Sequence, residues 1–421
     1  MHRSSRPPFV ALLVVILVAA CTSTSSPSAP PSPTPPASDL PSSPAPSTNA
    51  AAVYAAIAAQ VEQIRGLRPT AAITPVLLDE AQLEANLAQD FDRENPPALV
   101  AVAQDELSEL GLLPAGSSLR QAEIDLRAGQ VAGYYSALRK QLFVVSRSGG
   151  IGPTQRVTYA HEFTHQLQDQ NFDLATLGLD SPDQGDRSLA RLSLVEGDAV
   201  TAQTTWMSQN LTAGDLAQVL ADASDPTAVA ALTNAPPFLR TIALFPYTAG
   251  ETFVGVLIAT GGEAAVNGAF GQPPASTEQI LHPAAYLAHE APLAVSLPGG
   301  LATSLGQGWR QAGLDTLGEL QIRTWLSVDG VAQATATTAA AGWGGDRLAV
   351  LDGPAGARAL ALVTRWDAAT DPDEFASAVA SAVAAMPGTV LVGTTAATRT
   401  VRVVVAPTSA LAESLLAALG S

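Results

Sequence analysis

Two histidines four residues apart, with a glutamate beside the first, form the stretch whose spacing suggests chemistry: His161-Glu162-Phe163-Thr164-His165. On an α-helix, positions four apart share a face, with Cβ atoms roughly 6 Å apart. Two imidazoles so placed can take two corners of a zinc tetrahedron. Glu162 points to one side, where it can hold a water beside the metal and take its proton. The chain has five histidines in all, so this spacing is hard to attribute to chance.

A catalytic zinc needs one more protein ligand. Asp169 is the nearest acid, but at ~1.5 Å rise per residue it lies about 12 Å along the helix from His161. The ligand must therefore come from a second element. In Arg187–Val200, Leu189, Leu192, Val195 and Ala199 follow a helical period, and Glu196 interrupts this apolar neighbourhood. A carboxylate there is costly unless a cation pairs with it, which selects Glu196 as third ligand. Gly197 permits close approach of another helix. Asp198, roughly 200° further round than Glu196 if placed two positions on, is expected to support a ligand from behind, as is Asp169.

Hydrolysis at zinc also needs a donor for the oxyanion. The motif resembles that of the gluzincin metallopeptidases, and the resemblance implies a Tyr or His from a later segment for this role: Tyr247, expected at a break before a helix, or His282, at the end of a short helix; His289 reads as surface.

Several elements must position these groups. Gly152 and Pro153 open the zinc helix, with Thr154 as its expected cap. Just before it, Val131–Tyr135 and Gln141–Ser146 read as two strands turning near Leu138-Arg139-Lys140. An edge strand there would line a cleft and pair with an extended peptide. Earlier, Ala50–Arg65, Leu77–Asp90 and Ala98–Leu110 read as scaffold helices, their acids (Asp79, Glu80, Glu84, Asp105, Glu106, Glu109) on solvated faces. Beyond about Leu301, strands are expected at Leu320–Val328, Arg347–Leu351, Ala359–Trp366 and Val401–Val405. Helices are expected at Asp373–Met386 and Thr408–Leu419. Gly342–Arg347 is a glycine-rich turn without the Lys and Ser/Thr of a phosphate loop. The fold class is α+β, mainly helical, with a small sheet beside the zinc helix and a C-terminal α+β region.

The 421 residues carry 14% charged side chains and a net charge of −17, with pI about 4.6. Nucleic acid would be repelled, and no polybasic membrane surface is present. Arg3 and Arg6 precede an apolar run, Phe9–Ala20, too short to span a ~30 Å hydrocarbon core comfortably. It ends Leu17-Val18-Ala19-Ala20-Cys21, which resembles the lipobox of bacterial lipoproteins. That resemblance implies lipidation of Cys21, the sole cysteine. The Ser/Pro/Thr-rich stretch after it reads as a disordered spacer.

His161-Glu162-x-x-His165 with the downstream Glu196-Gly197 resembles the gluzincin metallopeptidases. The wider wording, Tyr159–Gln170 with Glu196-Gly197-Asp198-Ala199, is similar to a branch of bacterial lipoproteins with a gluzincin-like domain. The spacing from His165 to Glu196 exceeds that of the best-known gluzincins. The resemblance implies four regions: signal peptide 1–20, linker 21–50, peptidase domain 51–300 and C-terminal region 301–421. It implies Zn2+ held by His161, His165 and Glu196, with Glu162 as general base and a peptide or protein as substrate. The expected location is the outer face of the cytoplasmic membrane. The alternative is a non-catalytic binding or structural lipoprotein with a vestigial or structural zinc site.

Overall fold

The computed structural model describes residues 11–13, 50–72, 74–130, 132–145 and 151–420. Cys21, the linker and all of the apolar run except Ala11–Leu13 lie outside the described residues.

The first half is helical around a four-stranded sheet. In chain order it comprises β1 (Ala11–Leu13), α1 (Ala50–Arg65), β2 (Val76–Leu78), α2 (Glu80–Glu94), α3 (Pro97–Glu109) and α4 (Leu119–Gln130). Then come β3 (Gly133–Ser136), β4 (Gln141–Val145), α5 (Pro153–Phe172), α6 (Gly185–Asn210), α7 (Ala213–Ala223), α8 (Pro226–Asn234) and α9 (Pro237–Gly271). Two short helices follow, α10 (Thr277–Leu281) and α11 (Pro283–Leu287). The sheet order is β1-β3-β4-β2. The β3–β4 hairpin turns where Lys140 takes a left-handed φ of 50°. Alternation along the hairpin feeds two cores. Tyr135, Leu142 and Val144 face α1 and α5, whereas Tyr134, Phe143 and Val145 meet Leu83 and Leu87 of α2. The expected helix from Leu77 to Asp90 is thus two elements. Residues 76–78 pair parallel to β4, and α2 starts only after Asp79 caps it.

α5 opens on Gly152, whose N–H donates to the Gln155 side chain at 3.0 Å. The capping role expected of Thr154 is absent, because its hydroxyl donates to Asp222 at 2.5 Å. α6 and α9 form the longest helix–helix seam. At their crossing, a Cβ on Gly197 would fall 2.1 Å from the Gly250 carbonyl carbon. By length and composition α9 could cross a membrane, but it is a core helix here: Phe253, Val254 and Leu257 pack with Leu194 and Val195 of α6. Gly197→Ala forces the two backbones apart and is expected to destabilise the protein by about 3 kcal/mol. A urea-unfolding midpoint equal to that of the parent would contradict this close crossing.

The second half is a five-stranded antiparallel sheet. Its elements are α12 (Leu301–Ser304), β5 (Arg310–Asp315), α13 (Gly318–Val328), α14 (Gln333–Ala340), β6 (Trp343–Asp352) and β7 (Arg358–Trp366). They continue with α15 (Asp371–Ala382), β8 (Thr389–Thr395), β9 (Thr400–Ala406) and α16 (Ser409–Ala418). The strand order is β5-β6-β7-β9-β8. One face packs on α13, α14 and α15, the other on α12 and α16. The first face also receives Leu107, Leu110, Phe238 and Leu239, so the sheet is joined to the helical half by a shared core. The chain is therefore α+β, mainly helical with two sheets.

Three expectations fail here. Leu320–Val328 lies within helix α13, not a strand: Leu320, Ile322, Thr324 and Leu326 repeat at every second position like a strand's face, but the helix buries all four together with Trp325. Gly342–Arg347 is not a free turn, since β6 begins at Trp343 and only a bulge between Trp343 and Gly345 marks the glycines. Glu106 is 6% exposed rather than solvated, and it lines a cavity of about 410 Å³ together with Asp315.

Candidate metal centre

Three side chains from two helices converge. His161 and His165, one turn apart on α5, meet Glu196 of α6, and all three are essentially sealed from solvent. His161 Nε2 lies 3.2 Å from Glu196 Oε2, and His165 Nε2 lies 3.3 Å from the same oxygen. The two Nε2 atoms are 3.0 Å apart.

The partners on the far side of each ring explain what this triangle is for. His165 Nδ1 lies 2.8 Å from Gln168 Oε1. The Gln168 amide nitrogen is committed to the Val195 carbonyl at 2.9 Å and to Asp198 Oδ2 at 2.8 Å. Its oxygen must therefore face the ring, which places the ring proton on Nδ1 and leaves Nε2 as an acceptor. His161 is held alike, with Nδ1 2.9 Å from Gln203 Oε1. With both rings neutral, two imidazole lone pairs and a carboxylate oxygen face one another, and without a metal a proton on His165 must take the cation's place. A tetrahedral zinc with bonds of ~2.0–2.1 Å sets its ligands about 3.3 Å apart, and these donors fit it. A single proton could bridge only one of the three contacts.

The electrostatics carry the same tension. Burial lowers the His161 pKa. Burial also opposes charge on His165, but the Glu196 carboxylate outweighs it and pushes the pKa up to about 9. Glu196 is itself raised by burial and, more strongly, lowered by His165 and by its hydrogen bonds to both rings. Glu162 lies fully buried beside them, and neither of its oxygens has a well-formed hydrogen bond. Burial pushes its pKa well above the carboxylate range, and Glu196 adds to this against the pull of His165 and the Tyr135 amide.

Behind the triangle, Asp198 acts through Gln168. Its other oxygen, Oδ1, lies 2.7 Å from Arg65 Nε. Arg65 closes α1, is 1% exposed, and also engages Glu263 and, at 3.0 Å, Asn267 Oδ1. A helix that reads as scaffold therefore supplies the cation behind the site. Nothing in the sequence around Arg65 flags it. The two glutamines were findable: Gln168 lies one turn past His165, and Gln203 lies two turns past Glu196 on the same face.

Two expected roles are corrected. Asp169 touches no ligand; it accepts from Tyr135 Oη at 2.7 Å and from Lys140 Nζ at 2.7 Å, tying the hairpin to the end of α5. His282 is exposed and its Nε2 is 3.1 Å from Glu319, while Thr277 at the start of its helix bonds Asp186. Asp186 lies ten residues from Glu196 on α6, about 15 Å along the axis. His282 thus belongs to another part of the molecule. Tyr247 does reach the site, although from inside α9 rather than from a break before a helix. Its ring stacks on His161 with centroids 6.3 Å apart. Burial raises its pKa, helped by the charges of Glu196 and Glu162 and by its hydrogen bond with Glu196.

The fold and these side chains describe an α+β protein with a two-histidine, one-glutamate centre. A family model described as a domain of unknown function, DUF8575, matches residues 307–415. That span is the five-stranded half and leaves α5 and α6 outside it. No curated protein and no solved structure matches the chain.

Proposed function

We propose that the chain is a zinc-dependent metallopeptidase held outside the cytoplasmic membrane by a lipid anchor at Cys21. The observation that carries the reading is the triangle of His161 Nε2, His165 Nε2 and Glu196 Oε2, with edges of 3.0–3.3 Å. Zinc bound there supplies a Lewis acid that polarises a carbonyl and makes water a better acid. Glu162, buried with only the Tyr135 backbone amide near its carboxylate, takes the proton from the attacking water and returns it to the leaving amine. Tyr247 is the group we assign to the oxyanion, since its hydroxyl already lies at Glu196. Substrate would enter as an extended strand along β3. In support, Ala11–Leu13 pairs antiparallel with Tyr134–Ser136 along that edge. Loss of a signal peptide would free the edge for another chain.

One observation favours a second reading, a structural metal: all three ligands are sealed from solvent. Two features weigh against it. Structural zinc sites take four protein ligands, and among the described residues only three donors gather here. Glu162 also has only the Tyr135 backbone amide to set against its burial, and no well-formed hydrogen bond. Digestion of a peptide library by the zinc-loaded protein, with and without a chelator, separates the readings. Cleavage that stops with the chelator is expected; a zinc-loaded protein that cleaves nothing would leave the structural site. For the anchor, Cys21→Ala is expected to move the protein from the membrane fraction to the medium. Sedimentation unchanged from the parent would remove the anchor from the account.

A further inference from the structure

A second cluster of potential ligands stands apart from the metal centre. One carboxylate oxygen from each of Glu278, Glu290 and Asp367 lies within 4.8 Å of the others. Glu278 is on α10, Glu290 follows α11, and Asp367 follows β7, so the cluster spans the boundary between the two halves. Like charges this close repel unless something compensates them.

Among the described residues no cation does so. Glu278 is only 7% exposed, yet among the described residues its carboxylate makes no hydrogen bond and no ion pair. Every charge that acts on it is acidic: burial and then Asp367, Glu319, Glu290 and Asp186 raise its pKa to about 8. Glu290 and Asp367 are exposed, and neither carboxylate has a hydrogen-bond donor among the described residues. Arg399 donates to the Asp367 backbone carbonyl and lowers the Asp367 pKa only against larger opposing effects. His282 is spent on Glu319. A side chain only 7% exposed, whose carboxylate has no partner and faces two others, suits a cation.

We propose that Glu278, Glu290 and Asp367 bind Ca2+ and so clamp the helical half to the C-terminal sheet. The donor set is all oxygen, without the nitrogen or sulfur that favours zinc. Ca2+ tolerates irregular geometry and gives up water more readily than Mg2+, which suits a site with one buried and two exposed ligands. Three carboxylates on a partly open surface imply a Kd of about 10⁻⁴–10⁻³ M.

The test is thermal unfolding of the full-length, zinc-saturated protein as CaCl2 is raised. At about 100 times Kd the midpoint is expected to rise by about 3 °C. Glu278→Gln should abolish that rise while leaving the Ca2+-free midpoint no lower than the parent's, because the amide matches the neutral acid that a pKa of about 8 keeps there without Ca2+. Asp367→Asn, at an exposed position, should weaken the rise even if Glu278→Gln folds poorly. His161→Ala should keep it, because the zinc centre is separate. The proposal is overturned if the parent shows no Ca2+-dependent rise, if Glu278→Gln and Asp367→Asn both rise as the parent does, or if His161→Ala alone loses the effect.

Discussion

Glu162→Gln is expected to bind zinc as tightly as the parent and to lose about 10²–10⁴-fold in peptide hydrolysis, the usual contribution of a positioned general base. The amide is almost the same size, and Glu162 is not one of the three converging donors, so the metal should stay. What vanishes is the site that takes a proton from water. Burial already lifts the Glu162 pKa, a shift toward the range in which a group both accepts and returns protons near neutrality. The check is kcat with a cleavable peptide, alongside metal content on the same preparation. Full activity in Glu162→Gln would move the general base elsewhere.

Arg65→Leu should have the largest effect on stability, about 3–5 kcal/mol, because it leaves Asp198 buried and uncompensated. Arg65 Nε sits 2.7 Å from Asp198, and the same guanidinium reaches Glu263 and Asn267. The loss should spread along one chain of contacts. Asp198 anchors the Gln168 amide, and Gln168 fixes the Nδ1–H tautomer of His165. Zinc affinity is therefore expected to fall by roughly 10–100-fold, the usual effect of removing a group behind a ligand. Urea unfolding followed by tryptophan fluorescence, with competition against a chelator, reads both effects. A variant with the parent's midpoint would mean that Asp198 has found water.

The parts of the site that lie on one helix could be read from spacing, and the parts that depend on a second chain segment mostly could not. His161, Glu162 and His165 declare themselves by a four-residue interval. Glu196 declares itself by being a carboxylate in an apolar stripe, and Gly197 by costing helix stability for no local reason. Arg65 escapes because the last residue of a helix is ordinarily a solvated arginine; only the fold brings Asp198, 133 residues on, against it. His282 misleads for the converse reason, since its partner Glu319 lies on a later helix and takes the ring away from the metal. Tyr247 follows Pro246, which reads as a break, yet α9 runs through that proline because packing against α6 holds it. The C-terminal strand β9 shows in its β-branched run, and β6 and β7 show in the short apolar runs Leu348–Leu351 and Ala359–Val363. Helix α13 misleads, because Leu320, Ile322, Thr324 and Leu326 recur at every second position, the spacing of a strand.

Metal analysis of the purified protein, after zinc loading and dialysis, tests the central claim most directly when set beside Glu196→Ala. One zinc per chain in the parent and little or none in Glu196→Ala is the result expected. A parent that retains no zinc, or a Glu196→Ala variant that retains a full equivalent, would contradict it.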